Sequence, residues 1–212
     1  MSGWRTTSWA ITFGVAVLAL AACGAGERQD ANEPSGRFPV RVSAASFPSI
    51  QRLGEQTELV VAVRNAGRRT IPNIAVTITN PRYGTTVQPF ATFLNLPNLA
   101  SHSRPVWIVQ RPPGRCGYSC KLGGPGAAVT ADPHTWALGT LRPGASAKFV
   151  WGVTAVIPGT YKVSYQIAAG LNGNAQAILA DGSEPRGTFT AQIRRAPARV
   201  YVNGNGQVIK KG

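Results

Sequence analysis

A chain of 212 residues with 24 Gly, 16 Pro and 14% charged side chains has the profile of strands and turns, not of surface helices. Its length excludes two large domains, and a body of this size buries roughly 70% of its unfolded surface, so folding requires no cross-links. The 22 Lys plus Arg against eight Asp plus Glu give a net charge of +14, which suits anionic surroundings, but no basic run exceeds a doublet, as on a solvated surface.

Residues 1 to 22 open with one cation, Arg5, followed by an apolar stretch from Trp9 to Ala22. That stretch is shorter than the roughly 20 residues of a spanning helix and has the layout of a secretory signal peptide. It ends in Leu20-Ala21-Ala22-Cys23, which resembles the lipobox of bacterial lipoproteins. The resemblance implies cleavage before Cys23, a diacylglycerol on its thiol and an extracytoplasmic body anchored to the cell membrane. Each buried CH₂ contributes about 0.8 kcal/mol, so two or more acyl chains hold a protein firmly. Export also argues against a nucleic-acid partner in spite of the charge. Residues 23 to 36 then read as a flexible spacer, polar and without apolar period.

A sandwich is expected over residues 37 to 196. Phe38-Pro39-Val40-Arg41-Val42 alternates, and its Pro points to an edge strand. Within Thr57–Thr79, Leu59, Val61 and Val63 share one face of a strand, and Ile74, Val76 and Ile78 share one face of the next. The Asn65-Ala66-Gly67 turn between them, with residues that tolerate positive φ, predicts a central hairpin. Residues 80 to 134 form a long insertion, with short strands expected near Thr85–Val87, Thr92–Leu94 and Val106–Val109. Its Arg111–Gly126 part is too rich in Gly and Pro for a regular element. Alternation returns at Phe149, Trp151 and Val153, which with Trp136 read as core, and again at Tyr161, Val163, Tyr165 and Ile167. Further strands are expected at Ala175–Leu179, Thr188–Ile193, Arg199–Val202 and Gln207–Lys210, with residues 197 to 212 as a C-terminal hairpin or tail.

Two segments, LVVAVRNAG with NIAVTIT and TWALGTLRPGASAKFVWGVTAVIPGTYKVSY, resemble bacterial Ig-like repeats of the DUF11 and CARDB type. Asn80-Pro81 stands where the DUF11 type commonly has Asp and Pro. The resemblance implies an all-β, Ig-like antiparallel β-sandwich, a spacer or adhesion module on exported proteins, and no catalytic residues.

Candidate chemistry is sparse. Cys116 and Cys120, four apart outside the cytoplasm, most simply form a disulfide worth roughly 2 kcal/mol. A redox pair would have Cys-x-x-Cys spacing in a βαβ setting. Zinc on His102, Cys116, Cys120 and His134 is a legitimate ligand set without a standard spacing, and a secreted enzyme or metal-site protein built on these residues is the rival from another class. Asp132-Pro133-His134 has no Gly-x-Ser-x-Gly elbow beside it, while Glu55 and Glu58 flank a turn and Asp181 and Glu184 sit in another. Gly170–Asn174 does not open a helix, so it is no phosphate loop, and no cofactor is implied. For contacts the residues singled out are Trp107, Tyr118, Arg111 and Arg115, around a loop held by a rigid sandwich. The expected function is a non-enzymatic structural or binding module of the envelope. Its expected partners are the membrane through the anchor, and a cell-wall polymer or carbohydrate or another envelope protein.

Overall fold

The computed structural model describes residues 32–79, 90–92, 105–114, 134–197, 200–202 and 208–210, and among them every regular element is a β-strand. Alternating apolar and polar side chains make these strands, because successive residues face opposite sides of a pleated sheet. A six-stranded sheet contains β1 (Gly36–Ser46), β3 (Gln56–Asn65), β5 (Phe90–Thr92), β6 (Trp107–Arg111), β8 (Ser146–Ala155) and β10 (Ala175–Ile178), in the order β10-β1-β3-β8-β6-β5. A five-stranded sheet contains β2 (Ile50–Leu53), β4 (Ala75–Thr79), β7 (Thr135–Ala137), β9 (Gly159–Ala168) and β11 (Arg186–Pro197), in the order β2-β11-β9-β4-β7. Finally, β12 (Val200–Val202) and β13 (Val208–Lys210) pair antiparallel with each other.

The two large sheets close over one core. Leu59, Val61, Val63, Phe149 and Val153 enter it from the first, and Val76, Ile78, Val163 and Ile167 from the second. Trp136 meets Trp151 edge-on across the sheets at 5.5 Å between ring centroids, so both indoles are core as their alternation predicts. Trp107 meets Tyr161 in the same way at 5.8 Å. Such edge-to-face pairs add about 0.5–1.5 kcal/mol beyond the area they bury.

The fold is an all-β sandwich, but four details depart from the sequence reading. The sheets are mixed and not purely antiparallel: β1–β10, β2–β11 and β5–β6 are parallel pairs. Thr57–Thr79 is no hairpin, since β3 and β4 belong to opposite sheets and the chain crosses the core between them. Each instead finds its partner after the insertion, β3 zipping along β8 while β4 lies between β7 and β9. Strand β1 is not an edge. Up to Pro39 it pairs with β10, and from Val40 onward with β3, so the proline sits at the changeover and costs no ladder bond. The insertion, finally, is partly core: β5 and β6 extend the six-stranded sheet and bury Phe90, Trp107 and Val109. The possible strand at Thr85–Val87 lies outside the described residues.

Candidate functional site

The links 66–74, 138–145, 169–174 and 179–185 meet at one end of the sandwich. Backbone bonds tie them together. Gly144 N–H donates to Asn65 O (3.0 Å), Ile71 and Leu141 bond reciprocally (2.9 and 3.0 Å), and Asn73 N–H donates to Ala169 O (3.0 Å). Asn65, buried at the end of β3, is the hub. Its Nδ2 donates to Arg69 O (2.8 Å) and Leu141 O (2.9 Å), and its Oδ1 accepts from Gly67 N–H (2.9 Å). The Asn-x-Gly signal is therefore a side-chain cap on a sheet-to-sheet crossing. Gly67 has no positive φ; its lack of a Cβ leaves room for the Pro39 ring.

Residues 32 to 35, which lead into β1, lie at this same end. The Glu33 carboxylate accepts three backbone N–H bonds, from Leu171 (2.6 Å) and Asn172 (2.9 Å) in the link that joins β9 to β10 and from Ala175 (2.7 Å), the first residue of β10. Successive amides turned towards one carboxylate make a charge-assisted nest, and two oxygens satisfy all three donors. Gly170 is part of the same device, because a Cβ there would overlap the Glu33 carboxyl group. The segment Gly170–Asn174 leads into a strand and not a helix, and the anion that its amides hold belongs to the chain itself. Beyond the clasp, Gly36 N–H donates to Asn174 O (3.0 Å), which leads directly into β1. Sequence reasoning missed Glu33, since its partners lie more than a hundred positions away.

Around the clasp the surface is cationic. Arg37, Arg64, Arg68, Arg69, Arg142 and Arg186 are all exposed there. Three of them are held by the fold: Arg37 Nη2 donates to Gly182 O (3.1 Å), Arg64 Nε donates to Gly144 O (3.1 Å), and the Arg69 guanidinium stands 4.7 Å from the Phe38 ring centroid. The acidic groups at this end are engaged locally. Glu33 is in its nest, and Asp181 Oδ1 accepts from Ser183 Oγ (2.6 Å) and Ser183 N–H (3.0 Å), which lowers its pKa below the usual aspartate value. Glu184 receives a bond from Gln166. Arg111 and Glu58 form an ion pair away from this end.

The contact residues chosen from sequence separate. Trp107 is corrected: it is fully buried, and its Nε1–H donates to Gln51 Oε1 (2.7 Å), itself a buried side chain held by Pro48 O. Ring contacts with Phe47 and Phe90 complete its enclosure, so it has no surface to offer a ligand. Arg111 is exposed, beside a groove of about 310 Å³ lined by Glu58, Pro113, Lys148 and Val150. Cys23, His102, Arg115, Cys116, Tyr118 and Cys120 lie outside the described residues. Of the proposed zinc set His134 is described; it is half-buried, and its carbonyl accepts from Ile78 N–H (2.9 Å).

No protein-family model matches the chain, and no curated protein matches it. Solved structures are similar at the level of architecture. One is the CARDB domain of a Pyrococcus furiosus protein, in complex with di-metal ions, at 12% identity over 76% of this chain and 90% of that one, with a TM-score of 0.38. The PapD-like domain 7 of human CEP192 is 14% identical over 77% of this chain and 89% of its own, with a TM-score of 0.34. An Escherichia coli α2-macroglobulin fragment is 13% identical over 80% of this chain, with a TM-score of 0.40, and the chain spans 21% of that fragment.

Proposed function

We propose that the chain is an exported lipoprotein tethered through Cys23, whose sandwich is a non-enzymatic structural or binding module of the cell envelope. The observation that supports this reading most is how the tether joins the body. A lipobox-like Leu20-Ala21-Ala22-Cys23 closes an apolar run, and the polar spacer after it ends in the Glu33 nest at the head of β1. A charge-assisted clasp of three amides fixes the point where the spacer becomes body. On this reading the membrane is the first partner, and the loops at the far end of a rigid sandwich are free to meet another envelope component.

Replacing the acylated thiol tests it. Metabolic labelling with radioactive palmitate in the native host should label the protein and leave the Cys23→Ser variant unlabelled. A wild-type protein that takes up no label, or a variant labelled equally, contradicts the reading.

A further inference from the structure

We infer that the clasped end of the sandwich is a docking surface for anionic phospholipid headgroups, so that the body lies against the membrane that anchors it. The inference rests on the anchored reading and adds the orientation of the body and the chemistry of the contact. Two observations carry it. The first is reach. Residues 24 to 32 separate Cys23 from Glu33, and at roughly 3.3–3.6 Å per residue even a fully extended spacer spans about 35 Å. Since Glu33 is bound to Leu171, Asn172 and Ala175, the end that contains these residues stays within that distance of the lipid. A sandwich held this way presents the links 66–74, 138–145, 169–174 and 179–185 to the bilayer.

The second is charge. Those links and the strand ends beside them bear Arg37, Arg64, Arg68, Arg69, Arg142 and Arg186, all exposed. Against these six cations stand three carboxylates, Glu33, Asp181 and Glu184, which accept bonds from backbone amides, Ser183 or Gln166, so cations outnumber anions among the groups named at this end. Guanidinium groups match phosphodiesters in geometry as well as sign, and each cation near an anionic surface strengthens attachment severalfold. Arg194 and Arg195, near the end of β11, lie at the opposite end and serve as an internal control.

The test is flotation of the full-length protein with vesicles of phosphatidylcholine alone and of phosphatidylcholine with phosphatidylglycerol. Binding to the neutral vesicles reads the anchor, and the increment with phosphatidylglycerol reads the arginines. Read as the apparent partition coefficient at limiting lipid, where binding to neutral vesicles is incomplete, the expected increment is about tenfold, is lost in high salt, and is lost in the double variant Arg68→Glu, Arg142→Glu. The double variant Arg194→Glu, Arg195→Glu keeps it. Circular dichroism of both variants reports that the sheets are intact. No increment, or an equal loss in both variants, overturns the docking surface. An increment that persists without binding to neutral vesicles removes the anchor and leaves the docking surface supported.

Discussion

At the scale of single residues, Glu33 and Gly170 form one device. Removing the carboxylate leaves three amides without their charged acceptor, a loss of about 2 kcal/mol when water partly replaces it. Gly170→Ala forces the same loss, because its Cβ would occupy the place of the carboxyl group. Urea unfolding should therefore show Glu33→Ala and Gly170→Ala each destabilising by about that amount. The double variant should cost little more than either alone, since neighbours that share one interaction are non-additive. Simple additivity would mean that the two positions act independently. Asp181 gives a pH-dependent counterpart. Its pKa is lowered by Ser183, so its contribution is present above the ordinary value of 3.8 and is lost as pH falls through the lower folded value. Asp181→Asn should flatten this part of the acid limb, and an NMR titration should place the Asp181 carboxyl midpoint below 3.8. A midpoint at or above it would contradict the Ser183 hydrogen bonds.

At the scale of elements, the strands were legible in the sequence and their partners were not. Alternation in Phe149–Val153 and Tyr161–Ile167 says which side chains face a core, and the burial of β8 and β9 follows it. Period 2 says nothing about which sheet a strand joins. The Asn65–Gly67 signal suggested a local return of the chain, but Asn65 bonds Leu141 O, 76 positions away, and the chain crosses to the other sheet. Strand β2 carried no clear pattern, because Gln51 is buried there as a polar partner for Trp107. The same pair explains the misreading of Trp107, where an aromatic beside a Gly/Pro loop looked like a surface ring. Trp107→Phe keeps the ring packing and strands Gln51 Oε1, so it should cost about 2 kcal/mol in urea unfolding. A change under about 0.5 kcal/mol, the range of ordinary surface substitutions, would show that the bond does not hold β2 against β6.

At the scale of the molecule, one end of the sandwich receives the spacer, gathers four links and concentrates arginine. The motif at Cys23 lies outside the described residues and stands as a reading of the sequence, made from signal and lipobox patterns that are local. The clasp was not visible, since it joins Glu33 to amides that only the folded β9–β10 link turns in one direction. In the proposed arrangement the clasp orients the leash, because the end that contains Glu33 and its three amides is the one nearest the lipid. The proposed anchor depends on the state of one thiol, that of Cys23. Intact-mass spectrometry of the protein extracted from host membranes should show a chain that begins at Cys23 and carries the mass of a diacylglycerol. A chain retaining residues 1 to 22, or one with an unmodified Cys23, would contradict the account.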